Sequence, residues 1–103
     1  MAPRKFTAAD RANDVRVGER LAKVMAAYGL SQSAVARTLR VSRSTVSEWL
    51  SGKKHMDVNV ARTIREQWHV SLDYLYCGDH SSLPIPLANA IIHGKPMHSL
   101  APR

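Results

Sequence analysis

Residues 32–50 read QSAVARTLRVSRSTVSEWL, and this stretch decides how the rest of the chain must fold. Its apolar residues recur three or four positions apart, which is the spacing of one helix face. They are Val35 and Leu39 before a break at residues 40–42, and Val46 and Trp49 after it. Ala36 is small enough for two helices to cross closely at that point. The sequence therefore predicts a helix, a sharp turn and a second helix that share one core.

The second of these helices, predicted over Ser42–Leu50, has an outward face of hydrogen-bonding side chains. These side chains are Arg43, Ser44, Ser47 and Glu48. Arg can bind guanine through two hydrogen bonds, Glu can accept one from cytosine, and Ser can bond to bases or phosphates. Such a face can read base edges in the major groove of double-stranded DNA, with Arg43 the strongest candidate for a guanine.

Three further segments accompany this motif and carry a resemblance to a known family. They are GERLAKVMAAYGLSQ before the motif, WLSGKK at its end, and HVSLDYLYCGD further on. From about Val17 to Gly78 the chain resembles the phage Cro/repressor type of helix-turn-helix domain, the Xre-like family of bacterial and phage regulators. The resemblance implies an all-α fold, a compact five-helix domain of the lambda-repressor type. The residues of the C-terminal tail themselves allow a short sixth helix.

Two residues depart from the family pattern. Arg40 and His69 stand where the family usually has glycine, which alone adopts positive φ without steric cost. We therefore expect either modest strain at Arg40 or a slightly different turn.

The charge of the chain is segregated. The formal net charge is +7, and residues 1–65 hold thirteen Lys or Arg against five Asp or Glu, whereas residues 66–103 hold two against three. A basic surface that serves solubility alone would explain the sign of the charge but not this placement, which favours a polyanion such as nucleic acid. The single cysteine, Cys77, and the lack of a long apolar run indicate a cytoplasmic protein without a membrane contact.

Phosphate contacts are expected on either side of the outward face. Lys53 and Lys54 follow Gly52 in a loop, which suits a clamp on the DNA backbone, although a solvated loop would look the same. The family resemblance adds Gln32 at the start of the preceding helix, where exposed N–H groups also favour an anion. Ser42 and Thr45, at the start of the reading helix, complete the predicted phosphate-contacting set.

The chain divides into three parts by composition. Residues 1–7 are predicted to be a flexible basic arm, either disordered or reaching the DNA, and residues 8–78 the helix-turn-helix domain. The first helix can begin at Thr7, through a capping box with Asp10, or at Asp14. Residues 79–103 form a tail with a short helix over 86–93, which can dock on its own domain, pair with a second chain or bind another protein.

Other chemistries fit the sequence poorly. One Cys and three His have a spacing close to that of a zinc finger; these residues are Cys77, His80, His93 and His98. Two prolines interrupt this span, so no metal is expected. No arrangement of nucleophile, base and acid is placed to form a catalytic pocket, and no glycine-rich phosphate loop is present. We expect neither enzymatic activity nor a cofactor.

The expected function is sequence-specific regulation of transcription, as a repressor that binds an inverted repeat as a homodimer. Two alternatives remain at this point. One is an antitoxin that represses its own operon and binds a toxin through its tail. The other is a protein-interaction adaptor that keeps the helical fold without reading DNA.

Overall fold

The computed structural model describes residues 7–97 of the chain. Residues 1–6 of the predicted arm and residues 98–103 lie outside the described part. Residues 7–97 contain no β-strand and form six α-helices and one 3-10 turn at His80–Ser82. The helices are α1 (Ala8–Tyr28), α2 (Gln32–Leu39), α3 (Arg43–Ser51), α4 (Val58–Trp68), α5 (Leu72–Cys77) and α6 (Ile85–His93). The predicted all-α, repressor-like architecture is confirmed.

Side-chain caps set where the first five helices begin. Thr7 and Asp10 form a capping box, so α1 begins at Ala8 and the alternative start at Asp14 is wrong. Thr7 therefore belongs to the cap of a helix and not to the predicted arm. The other four caps bond to the backbone N–H three residues further on, which satisfies a donor that the helix leaves unpaired. They are Ser31, Ser42, Asp57 and Ser71.

Arg40 and His69 end α2 and α4 in the left-handed backbone conformation. Their φ angles are 57° and 59°, whereas the other positive φ angles among residues 7–97 belong to glycines. A side chain costs roughly 1–2 kcal/mol in this conformation. The expected strain at Arg40 is therefore present, and the turn keeps the geometry that the family usually gives to glycine.

The core draws on every α-helix and on the segment between α4 and α5. Its fully buried apolar residues include Leu21, Val24, Val35, Val46, Ala61, Ile64, Val70, Leu75 and Leu87. Trp49 is buried, and the partly buried Trp68 packs against the same cluster. Val58 shares the apolar period of Ala61, Ile64 and Trp68, which predicts that it faces the core, but it is 52% exposed. It is the first residue of that helix, and helical side chains tilt toward the N-terminus, here away from the core.

Helix α6 docks on its own domain. Leu87, Ala90 and Ile91 are buried in the core cluster, and α6 packs against α1. It begins one residue before the predicted start, with Pro84 ahead of it and a proline in its first turn. The sequence alone left open whether this face would meet its own domain, a second chain or another protein. The structure places it on its own domain.

Candidate nucleic-acid interface

The outward face of α3 carries four exposed polar side chains. Arg43 and Ser44 lie on its first turn, and Ser47 and Glu48 follow four residues later on the same side. The opposite side of the helix is buried in the core. All four residues therefore lie on one accessible surface, and their contact with bases stays a prediction.

The turn between α2 and α3 holds the beginning of α3 in place. After Arg40, the amide of Val41 donates to the Ala36 carbonyl at 3.0 Å. Ser42 Oγ accepts the N–H of Thr45 at 3.1 Å and shares a 2.9 Å hydrogen bond with Thr45 Oγ1. Because that bond uses one of the two hydroxyl hydrogens, the other is left for a phosphate oxygen.

The C-terminal end of α3 lies directly on the backbone of α1. A Cβ atom at Gly18 would lie 2.3 Å from the Trp49 carbonyl oxygen and 2.6 Å from the Leu50 carbonyl oxygen. Only glycine permits this approach, because no other residue lacks the Cβ atom. Gly18 was not among the residues predicted from the sequence. The available signal was a lone glycine inside a long run of helix-forming residues.

The loop after α3 is fixed to both α3 and α1. Gly52 ends α3 with a φ of 78°, and a Cβ atom there would lie 2.6 Å from the side chain of Val15. The amides of Lys53 and Lys54 both donate to the Glu48 carbonyl, at 2.9 and 3.2 Å. Both lysine side chains are exposed. Two exposed positive charges are thus carried on a backbone that is held in position.

Two further contacts that the sequence did not reveal hold the end of this loop. His55 Nδ1 lies 2.7 Å from Asp14 Oδ1, and the Tyr76 hydroxyl donates to the Met56 carbonyl at 2.8 Å. Burial raises the pKa of Tyr76, and the charges of Asp57 and Asp14 raise it further. The hydroxyl therefore keeps its proton at neutral pH and remains a donor.

Gln32 is the first residue of α2 and is exposed. Ser31 ahead of it accepts the N–H of Ala34 at 3.1 Å, so one donor of the helix start is already paired. The remaining free N–H groups of the first turn suit an anion. The predicted phosphate contact of Gln32 is sterically accessible and stays a prediction.

The exposed formal charges from α2 to the loop after α3 are mostly positive. They are Arg37, Arg40, Arg43, Lys53 and Lys54, against the single acid Glu48. A surface of this sign attracts a polyanion and raises the rate of encounter with it. The segregation of charge seen along the sequence is therefore also present on the surface beside α3.

The structure gives no support to a metal site in the part that it describes. Among residues 7–97, no group of three or more His, Cys, Asp or Glu side chains is placed to hold a metal ion. His98, the last member of the zinc-like spacing, lies outside the described residues. Within the same range, no helix is long and apolar enough to span a membrane.

Helices α2 and α3 are short and are joined by a tight turn, and α3 exposes a hydrogen-bonding face among positive charges. This arrangement defines a helix-turn-helix DNA-binding protein. A helix-turn-helix family model matches residues 21–75, just over half of the chain. The chain belongs to this family, the Cro/Xre-like type, and is a DNA-binding regulator. Comparisons with curated proteins and with solved structures found no match.

Proposed function

We propose that this protein is a transcriptional repressor that binds an inverted-repeat operator as a homodimer, with α3 in the major groove of each half-site. The observation that carries the proposal is the exposed polar face of α3 on a helix held at both ends. Repression needs only occupancy of the operator, whereas activation needs a further contact with polymerase. This role places the protein in the cytoplasm of a bacterial or phage-infected cell.

Base reading is assigned to the four outward side chains of α3. Arg43 lies on the first turn, where a recognition helix comes nearest to base edges, and its guanidinium matches guanine O6 and N7. Glu48 can accept from cytosine N4, and Ser44 and Ser47 have short side chains that let the helix approach closely.

Phosphate contacts are assigned to residues that flank this face. Lys53 and Lys54 extend from the loop after α3, and Gln32 lies at the start of α2. Ser42 and Thr45 retain one hydroxyl hydrogen between them at the start of α3. These contacts supply affinity and set the register of α3 without selecting a sequence.

The dimer surface is assigned to the outer face of α6. Ile85 is 76% exposed and Ile92 is 62% exposed, and their spacing of seven positions places both on one side of the helix. The helix Ile85–His93 contains no Asp, Glu, Lys or Arg. Two copies with a charge of +7 repel each other, so the uncharged apolar helix is the favourable place for contact. Because two isoleucines form a small interface, we expect the dimer to form mainly on DNA.

The test is selection of bound duplexes from a random-sequence DNA pool at near-physiological salt, followed by sequencing. The expected product is an inverted repeat with half-sites about ten base pairs apart. The same selection with Ile85→Ser/Ile92→Ser should enrich single half-sites. An absence of enrichment, with binding that vanishes as salt rises, would contradict sequence-specific regulation and would favour the adaptor.

A second candidate function, the antitoxin, is favoured by the same outer face of α6. The inner face is occupied by α1, so the outer face is the part of this helix available to a toxin. Co-expression with the product of the neighbouring gene tests this function. The antitoxin is supported if the wild type restores growth and if Ile85→Ser/Ile92→Ser fails to restore it while still binding DNA. If the neighbouring gene product is not toxic, that product is excluded as the toxin.

A further inference from the structure

Among residues 7–97, Asp14 is the only charged residue that is buried, with 5% of its side chain exposed. A carboxylate removed from water is strongly unfavourable unless it is paired and hydrogen-bonded. His55 provides the partner, with Nδ1 at 2.7 Å from Asp14 Oδ1. The pair joins the second turn of α1 to the loop that follows the reading helix.

The chemistry of this pair determines what the rest of the His55 ring can do. An ionised carboxylate only accepts hydrogen bonds, so His55 Nδ1 must carry a proton to bond with it. In a neutral imidazole the other nitrogen, Nε2, is then a bare acceptor. In a protonated imidazole Nε2 also carries a proton and becomes a donor. The His55 side chain is 60% exposed, and Nε2 forms no hydrogen bond with another described residue.

The position of His55 relates this donor to the DNA-binding surface. His55 directly follows Lys53 and Lys54, and its partner Asp14 directly precedes Val15, against which Gly52 packs. The loop is therefore held to two successive residues of α1, because Gly52 packs against Val15 and His55 pairs with Asp14. The two lysines and the exposed edge of the imidazole lie on the same short segment.

We propose that His55 is a third phosphate-contacting residue of this loop, that it acts when its imidazole is protonated, and that Asp14 is its positioning residue. The ligand is a phosphate oxygen of the DNA backbone, so the inference rests on the proposed function. The consequence is a DNA affinity that increases as pH falls through the range in which histidine gains a proton.

Other charged groups around the loop do not produce this dependence. Tyr76, which reaches the loop from α5, has a pKa raised by burial and by nearby carboxylates, so it stays neutral. Lys53 and Lys54 precede His55, and Asp57 follows it. Histidine is the side-chain type that ordinarily changes its charge between pH 5 and 8. The change in charge at the loop is therefore assigned to His55.

The experiment measures the affinity of the full chain for one fixed duplex as a function of salt, at pH 6 and at pH 8. The wild type should bind roughly tenfold more tightly at the lower pH, with a slope of log affinity against log salt steeper by about 0.9. His55→Gln should lose both differences. His93→Gln, which removes an exposed histidine at the end of α6, is the matched control and should keep them.

A second measurement does not depend on the variant folding. In nitrogen-15 spectra of the wild-type histidine rings at pH 6, addition of duplex should shift the Nε2 resonance of His55. An unmoved resonance, or a folded His55→Gln that keeps the pH difference, would overturn the assignment. If the wild type binds DNA at neither pH, the proposed function itself fails. If binding is normal and responds to loss of the lysines but not of His55, this inference alone fails.

Discussion

The contact between α1 and the end of α3 leads to a prediction about Gly18→Ala. The new Cβ atom would lie 2.3, 2.6 and 2.9 Å from three backbone atoms of Trp49 and Leu50. Backbone atoms cannot move aside as a flexible side chain can, so the two helices must separate. Overpacking of this kind costs about 1–3 kcal/mol, while Gly→Ala inside a helix gains about 1 kcal/mol. With three such contacts the cost lies at the upper end, and we expect a net loss of about 2 kcal/mol in the free energy of unfolding.

Urea denaturation followed by tryptophan fluorescence measures this loss, and thermal denaturation should show a Tm lower by about 8–16 °C. The matched control is Ala22→Gly, at an exposed position of the same helix, which should lose about 1 kcal/mol through helix propensity alone. DNA affinity of folded Gly18→Ala should also fall, because α3 is displaced at its C-terminal end. A Gly18→Ala protein as stable as the wild type, with Ala22→Gly behaving as expected, would refute the close-contact argument.

Four other expectations concern the reading helix, the lysine loop, the strained turn and the tyrosines. Arg43→Ala should weaken binding to the selected operator by about 1–3 kcal/mol and relax preference at one base pair; unchanged selectivity among single-base variants would remove Arg43 from base reading. Joint replacement of Lys53 and Lys54 by Ala should lower the slope of log affinity against log salt by about two units, and an unaltered slope would place both outside the interface. Arg40→Gly should stabilise the fold by about 0.5–1 kcal/mol in urea denaturation, since glycine adopts the observed φ of 57° without a clash; a loss of stability would contradict this. The free energy of unfolding should fall above about pH 10, because tyrosines with a raised pKa hold their protons in the folded state and release them on unfolding. A urea series from pH 8 to 11 checks this, and a flat profile would contradict it. These tyrosines are Tyr28, Tyr74 and Tyr76.

Much of the fold was predictable because its signals are local. The serines ahead of α2, α3 and α5 and the aspartate ahead of α4 are residue types that favour caps, and each bonds to the N–H three residues further on. The outward face of α3 was predictable for a similar reason, because the 3.6-residue period separates Arg43 and Ser47 from the buried Val46. The family resemblance added the order of the helices and the DNA-binding role.

Several features of the fold and of the candidate site could not be predicted from such local signals. Asp14 was read as one of two helix starts, yet it is a buried carboxylate paired with a histidine 41 residues further along. The sequence around Gly18 does not show that this residue packs against the end of α3. Val58 fitted the apolar period of α4 but lies at the exposed first position of the helix. In each case the outcome depends on which element approaches from elsewhere in the chain.

The sequence by itself determined the helices and the polar face of α3, because hydrogen bonds and side-chain periodicity within a helix act over a few residues. The closeness of α1 to α3, the pairing of Asp14 with His55 and the docking of α6 on α1 were decided only by the tertiary structure. These contacts depend on the distances and angles at which helices cross. That geometry follows from the packing of the whole core, so no local pattern specifies it.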